Sequence, residues 1–392
     1  MNAYGPVVRN AAARNVLLLG IFIRAPFFAT GVLLPLHVVQ TLGHSYTAAG
    51  FVATVVTVCT SISGPWRGRL LDKRGLRPVV APSVLVCGSI WCVAPFVGYF
   101  PLLALVVVAG LFSVPIFTAT RAAIIVAVDE QHRRTALSLD SVGVEVSFIV
   151  GPLIALGAAA VWPTSWVLFG VELVGVLAGL VLWLANPRLA HDTATEHVPR
   201  RVWVDRRFVA LCVAAAAATT VLIGSEVTFL AAARSLDAVA VLGVILAAWG
   251  LGSIVGGLVY GALHRSVSMY LLLAALAALT APIALARDIP MLTLSGFVVG
   301  LLCAPTIVAG LDQLGDLVPE RARGEALGWH GSAMTAGNAI GAPLAGVAID
   351  RGGYGAGFVT IGVIGVAAAL TCAWVAASGS AQASARPAPA RL

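Results

Sequence analysis

Residues 68–77 read Gly68-Arg-Leu-Leu-Asp72-Lys73-Arg74-Gly75-Leu-Arg77, a short charged stretch between two long apolar segments. An apolar run of about 20 residues is long enough to cross the bilayer core as a helix. Backbone groups must be paired inside lipid, so such runs are predicted to be helices and not open strands. We count twelve of them in the chain, at residues 16–40, 46–66, 79–98, 101–123, 136–159, 164–184, 208–231, 239–262, 267–286, 290–312, 325–348 and 356–377.

The composition excludes a soluble globular protein. Charged residues make up 10% of the 392 residues and hydrophobic residues 59%, whereas a soluble domain carries about 25% charged residues. The net charge of +7 does not indicate a nucleic-acid partner, because the basic residues are scattered over short segments. The six cysteines lie in apolar runs without metal-ligand spacing, and the sequence contains no Gly-x-x-x-x-Gly-Lys loop for phosphate. We therefore expect no enzyme activity, no metal and no other cofactor.

The distribution of Lys and Arg predicts the orientation in the membrane, because cytoplasmic loops carry an excess of both. With both termini placed in the cytoplasm, 19 of the 24 Lys and Arg residues fall in inner segments. The outer loops hold only Arg234, Arg287 and Arg351. We therefore expect a multi-pass protein of the cell inner membrane with both termini cytoplasmic.

The two halves of the chain resemble each other. The segment Gly110-Leu-Phe-Ser-Val-Pro115 matches Gly300-Leu-Leu-Cys-Ala-Pro305, and Gly151 matches Gly341 at the same offset of 190 residues. This internal repeat predicts two parallel, pseudo-symmetric six-helix bundles that hinge about a shared site. The predicted divisions are an N-terminal bundle at 1–187, a cytoplasmic linker at 188–206, a C-terminal bundle at 207–377 and a disordered cytoplasmic tail at 378–392.

The stretch at 68–77 resembles the signature loop of the major facilitator superfamily, and it lies between spans 2 and 3 as it does in that family. The resemblance implies the fold of these transporters and a gating loop made of Gly68, Asp72, Lys73, Arg74, Gly75 and Arg77. It also implies that Gly68 lets span 2 approach the opposite half and that Asp72 faces the positive N-terminus of span 11, near residues 324–326.

Two further expectations concern the same loop. Arg74 and Arg77 are predicted to pair with Asp129 or Glu130 at the end of span 4. The alternative is that the whole stretch forms only a tight turn that satisfies the charge bias of cytoplasmic loops.

Span 5 contains Ser147-Phe-Ile-Val-Gly151-Pro152, whose small residues four apart favour close packing of helices. The segment resembles the antiporter motif of the exporters in the same family. The match is partial, because Ile154 and Ala155 stand where a second pair of glycines is expected. A kinked, tightly packed helix without any role in export is the alternative.

Charged side chains inside the spans are costly in lipid and are therefore candidates for a substrate or proton pathway. The candidates are Arg24, Glu145, Glu226, Arg121, Asp140 and Asp312. Arg24 and Glu145 lie at similar depths and are compatible with an ion pair, and Glu145 or Glu226 is predicted to carry a proton. A static ion pair that fixes the helices is the alternative for these groups.

Four candidates sit near predicted cytoplasmic span ends, namely Arg121, Asp140, Asp312 and His330. They are either gate pairs or solvated helix ends. Glu172 lies in the middle of span 6, which is peripheral in the family, and the sequence assigns it no role.

These features predict a secondary active transporter that works by alternating access, with proton-coupled efflux of a small organic solute as the preferred function. The alternatives are a proton-coupled uptake symporter for a sugar or other metabolite and a non-transporting membrane sensor or scaffold. The expected partners are a small-molecule substrate, protons and the lipid bilayer, and we expect a monomer. The sequence identifies neither the substrate nor the direction of transport.

Overall fold

The computed structural model describes residues 4–187, 199–237, 241–263 and 265–384. These residues are nearly all helical, and no strand occurs among them. Most of the predicted linker, at 188–198, and the end of the predicted tail, at 385–392, lie outside the described residues. The last helix is described as far as Ser384, beyond the point at which the sequence predicts the tail to begin.

Ten of the described helices are long and apolar enough to cross a membrane, and Met269–Leu285 is a shorter apolar helix. The longest of the ten, Arg323–Ser384, is interrupted at Gly352 and Gly353. Gly353 has a φ of 70°, which residues with a side chain rarely adopt, so the segment comprises two helices. Each predicted span therefore has its helix, and the all-α membrane fold is confirmed.

In chain order the helices are α1 (Ala11–Gln40), α2 (Tyr46–Arg74), α3 (Leu76–Phe96), α4 (Tyr99–Ala127), α5 (Glu130–Ala159), α6 (Thr164–Ala185), α7 (Arg206–Ser235), α8 (Leu242–Ala262), α9 (Met269–Leu285), α10 (Ile289–Leu317), α11 (323–351) and α12 (354–384). Many of their large apolar side chains are exposed, as lipid-facing side chains are. Phe100, for example, is 78% exposed and Trp374 is 72% exposed.

The first compact unit comprises Met1–His197 together with Glu320–Ser332, and so contains α1 to α6 and the first turns of α11. Helix α1 packs most extensively against α5 and α6. Leu33, Leu102 and Leu168 are fully buried in the main apolar core of this unit. The domain boundaries predicted from the sequence stay a prediction, because residues 320–332 group with the first unit and not with the rest of the predicted C-terminal bundle.

The second compact unit comprises Val198–Pro319 and Ala333–Leu392. Helices α8 and α10 pack closely in this unit, and glycines bring their two backbones together. A Cβ on Gly252, Gly256 or Gly300 would overlap a backbone carbonyl oxygen of the partner helix. The glycine-rich run in α8 therefore serves close helix packing, which dominates helix association in lipid.

The repeated Gly-Leu-x-x-x-Pro segment interrupts a helix in both units. In α4 the helical hydrogen-bonding pattern stops at Phe112 and resumes at Ile116, and in α10 it stops at Gly300 and resumes at Cys303. The proline of each repeat has no backbone N–H to donate and disfavours a continuous helix. The turns that follow each break carry buried polar side chains, among them Thr120 and Arg121 in α4 and Thr306 and Asp312 in α10.

Candidate functional site

A buried ion cluster connects α1, α4 and α5 of the first unit. Arg24 Nη1 lies 2.6 Å from Asp140 Oδ1, and Arg24 Nη2 donates to Thr120 Oγ1 at 2.5 Å. Arg121 Nε lies 3.4 Å from the other oxygen, Asp140 Oδ2. Arg24 is 0% exposed and Asp140 is 1% exposed. One carboxylate thus holds two guanidinium groups that come from two different helices.

The ring of Phe117 also contacts both guanidinium groups. The Arg24 Cζ atom lies 5.0 Å from the ring centroid and the Arg121 Cζ atom 5.5 Å from it. The face of an aromatic ring carries partial negative charge and attracts a cation within about 6 Å. Phe117 therefore offsets part of the repulsion between the two arginines.

The pairing of Arg24 with Glu145 that the sequence suggests is wrong, because Arg24 pairs with Asp140. A helical side chain leans toward the N-terminus of its helix, so the long Arg24 side chain reaches back toward the start of α5. It passes over Gly20, where a Cβ would lie 3.4 Å from Arg24 Nη1. Glu145 stands further along α5, half-buried.

The interpretation of Arg121, Asp140, Asp312 and His330 as solvated helix ends is also wrong, because all four are buried. The helices continue past the predicted ends of the spans: α5 begins at Glu130 and α10 runs to Leu317. His330 is 1% exposed, and neither ring nitrogen has a hydrogen-bond partner among the described residues. Its ring lies close enough to Arg121 to interact with the arginine charge.

Asp72, at the end of α2, caps the start of α11. Its Oδ1 accepts a hydrogen bond from the Gly324 amide at 2.7 Å and its Oδ2 accepts one from the Glu325 amide at 2.6 Å. The first amides of a helix have no partner within it and carry partial positive charge, so an aspartate is a favourable acceptor there. A Cβ on Gly68 would overlap the Gly324 carbonyl oxygen. This is the contact that the family resemblance implies for Gly68 and Asp72.

The rest of the loop ends α2 and starts α3. Gly75 terminates α2 with a φ of 75°, a left-handed conformation that suits glycine. Lys73 and Arg74 are exposed. The Arg77 guanidinium lies 5.4 Å from the ring centroid of Trp183 on α6, and its Nε donates to the Trp183 carbonyl oxygen at 3.4 Å.

The predicted pairs of Arg74 or Arg77 with Asp129 or Glu130 are therefore wrong for the described part of the chain, since Arg77 uses α6 instead. Sequence reasoning also missed an ion pair beside Asp72. Arg69 Nε lies 3.7 Å from the buried carboxylate of Glu325. No pattern in the sequence indicates this pair, because the two residues are distant in the chain and lie on different helices.

The span 5 motif joins α5 to α1. Ser147 Oγ lies 3.0 Å from the Ile21 carbonyl oxygen, and a Cβ on Gly151 would overlap the carbonyl oxygen of Ala25. Pro152 follows inside the helix. The described contacts of this motif are those of close helix packing, and its role in antiport stays a prediction.

Three more acids lie on helices α6, α7 and α10. Glu226 is half-buried on α7 and makes no hydrogen bond or ion pair with another described residue. Asp312 is buried on α10. Glu172 Oε1 lies 2.5 Å from Thr30 Oγ1, so this acid is turned toward α1 and not simply toward lipid. The described residues contain no group of three or more His, Cys, Asp or Glu side chains that could hold a metal ion.

Two repeated six-helix halves with charges buried among their helices are the architecture of a secondary membrane transporter. The family profile of the Major Facilitator Superfamily matches residues 16–233 and 208–392, and the chain belongs to this family. It is therefore a membrane transporter and not an enzyme. No curated protein matches the chain.

Solved structures show the same fold at low sequence identity. The human organic anion transporter MFSD10 (TETRAN) has a TM-score of 0.73 and 15% identity over 93% of this chain and 99% of that chain. A bacterial homologue of the iron transporter ferroportin in an outward-facing state has a TM-score of 0.75 and 14% identity over 94% and 99%. The E. coli fucose:proton symporter FucP has a TM-score of 0.71 and 13% identity over 94% and 98%.

Proposed function

We propose that this transporter exports a small organic solute in exchange for protons by alternating access. It acts as a monomer in the cell inner membrane with both termini in the cytoplasm. Export is favoured by the partial antiporter motif at Ser147, Gly151 and Pro152, and gradient coupling by the absence of a nucleotide-binding loop from the sequence.

The observation that carries the proposal is the cap that Asp72 forms on α11. A carboxylate that accepts from two amides of a helix start is a strong, charge-assisted contact. It joins residues that are 252 and 253 positions apart. In an alternating-access cycle such a contact forms in one state and breaks in the other, and it sets the balance between them.

The direction of transport is tested first by finding the solute. A deletion strain and its parent are compared for drug susceptibility and for internal metabolites, and the compound that accumulates in the deletion strain is used in inverted vesicles. We expect an inside-acid gradient to drive its uptake into these vesicles. Accumulation only with the opposite gradient would identify an uptake symporter, and the absence of any flux would favour a sensor or scaffold.

The role of Asp72 is tested in the same vesicles with Asp72→Asn. The amide keeps one acceptor oxygen and loses both the second acceptor and the charge, so we expect a large loss of flux. Asp288→Asn is the matched control, because Asp288 caps the start of α10 locally, through the Met291 amide at 2.7 Å. Equal flux in both variants would contradict a gating role for Asp72.

Proton coupling is assigned to Glu145 or Glu226. The variants Glu145→Gln and Glu226→Gln keep the size of the side chain and cannot release a proton. We expect one of them to lose proton-driven flux while it keeps exchange of solute for solute. If both variants retain full proton-driven flux, neither acid is the carrier.

A further inference from the structure

The ion cluster of the first unit carries unbalanced positive charge. Arg24 and Arg121 share the single carboxylate of Asp140. Among the described residues no second acid contacts either guanidinium, and the Phe117 ring supplies only a partial negative charge. A buried cation without a full counter-charge is costly in an apolar bundle, so an anion is the natural complement.

The donors needed to bind an anion are available at the edge of this cluster. Arg121 donates to Asp140 only through Nε, and its two terminal nitrogens have no hydrogen-bond partner in the described part of the chain. These two nitrogens are not fully buried, and the Arg121 side chain keeps 8% of its surface accessible. His330 lies within range of the Arg121 charge, and both of its ring nitrogens are unpaired among the described residues and buried.

An aromatic surface adjoins the same arginines. The Phe117 ring lies 5.6 Å from Phe27 and 6.2 Å from Phe28, and Phe28 lies 5.3 Å from Phe148. Phe27 is 46% exposed and Phe148 is 50% exposed. A ligand whose charged group reaches Arg121 would therefore find aromatic side chains for its apolar part.

We propose that Arg121 and His330 bind the carboxylate of an organic monoanion with an aromatic or apolar body, which makes such acids the substrate class of this transporter. The planar guanidinium matches a carboxylate with two parallel hydrogen bonds, and a single negative charge balances the single excess positive charge. The inference rests on the proposed transport function for its biological role, but the binding site itself does not depend on a proton gradient.

Binding is measured on the purified full-length protein with three probes of the same shape: benzoate, neutral benzamide and cationic benzylamine. Ligand that binds the folded state raises the melting temperature, and titration gives the affinity. We expect benzoate alone among the three to raise the melting temperature at millimolar concentration. An equal response to all three, or no response to benzoate, overturns the inference.

The variants locate the site. Arg121→Gln removes two charge-assisted hydrogen bonds and should weaken benzoate binding about tenfold or more. Arg121→Lys keeps the charge but not the paired geometry, and His330→Gln keeps a donor, so each should weaken binding less. Arg287→Gln removes an exposed arginine elsewhere and should leave it unchanged. Unaltered benzoate affinity in both Arg121 variants overturns the site, and if Arg121→Gln does not fold, Arg121→Lys and His330→Gln still test it.

The inference and the proposed function fail separately. Benzoate binding through Arg121 without proton-driven flux would support the anion site and contradict the proposed proton exchange. Proton-driven export of a neutral or cationic solute without benzoate binding would support the proposed proton exchange and contradict the anion site.

Discussion

A close approach of two helix backbones at a glycine occurs in both units. It joins α1 to α5 in the first unit and α7 to α11 in the second. A Cβ on Gly151 would overlap the carbonyl oxygen of Ala25, and a Cβ on Gly341 would lie 2.6 Å from that of Thr220. Gly151 and Gly341 are the pair related by the 190-residue repeat. The close backbone approach is thus common to both halves.

The polar groups at the two interfaces differ. Beside the α1–α5 contact lie Arg24 and Asp140, which form a buried ion pair. At the α7–α11 contact Thr219 Oγ1 donates to the Met334 carbonyl oxygen at 2.7 Å, and Thr220 Oγ1 to that of Gly337 at 3.1 Å. Both interfaces therefore keep the close backbone spacing, while the described contacts include an ion pair at the α1–α5 interface and hydroxyl hydrogen bonds at the α7–α11 interface.

The largest expected effect comes from removing the shared carboxylate. Asp140→Asn leaves Arg24 and Arg121 buried with no acid between them, and breaking such a pair destabilises a protein by about 3–5 kcal/mol. We expect a strongly lowered melting temperature of the purified protein. Thr220→Val, at the uncharged interface, is the matched comparison and should lower it far less. Similar shifts in the two variants would show that the charges add nothing to the first interface.

The next largest effect is a loss of stability on filling a tight glycine contact, and it should be equal in the two units. Gly151→Ala and Gly341→Ala each force a Cβ against a backbone carbonyl, and such overpacking costs about 1–3 kcal/mol. Gly157→Ala and Gly346→Ala are controls on the same two helices, because a Cβ at either position meets nothing within 4 Å. Denaturation of all four variants tests this, and destabilisation by only one of the two tight glycines would break the equivalence of the interfaces.

Sequence reasoning found what depends on local pattern. Hydrophobic length located the helices, the spacing of small residues indicated Gly151, and the internal repeat matched Gly151 to Gly341. It failed where side chains cross between helices. Arg24 was placed by depth alone, and its partner follows instead from the backward lean of a long side chain over Gly20. The burial of Asp312 was missed because the predicted apolar span ends at residue 312, whereas the helix continues to Leu317.

Other features had no signal in the order of residues. Thr120 and Phe117 join the ion cluster from the turns that follow the break in α4, and the sequence does not reveal which way those turns face. The pair between Arg69 and Glu325 joins distant positions, and charge in a predicted loop does not reveal its partner. The ion cluster and this ion pair depend on how the helices pack against each other, and the residue pattern of a single span does not determine that packing.

Removing a hydroxyl hydrogen bond between helices should lower the stability less than removing the buried carboxylate. Thr220→Val removes one hydrogen bond to the α11 backbone, and Ser147→Ala removes the contact with Ile21. Hydrogen bonds between membrane helices contribute about 0.6 kcal/mol on average. We expect small and similar decreases in the melting temperature for the two variants. A loss as large as that of Asp140→Asn in either of them would mean that hydroxyl contacts, and not charge, dominate that interface.

The smallest change in stability is expected for a variant at Glu172. This acid marks another difference between the halves, because α6 contains it whereas α12, at residues 354–384, contains no acid. Thr30 Oγ1 lies 2.5 Å from Glu172 Oε1 and 3.0 Å from the Pro26 carbonyl oxygen, but a hydroxyl has one proton to donate. In Glu172→Gln the amide N–H can donate to Thr30 while Thr30 donates to Pro26, so both contacts survive. We expect a change in stability below about 0.5 kcal/mol and unaltered proton-driven flux. Lost flux in a stable Glu172→Gln would instead assign proton transfer to Glu172 on α6. The variant Glu172→Leu would then separate loss of the acid from loss of the hydrogen bond.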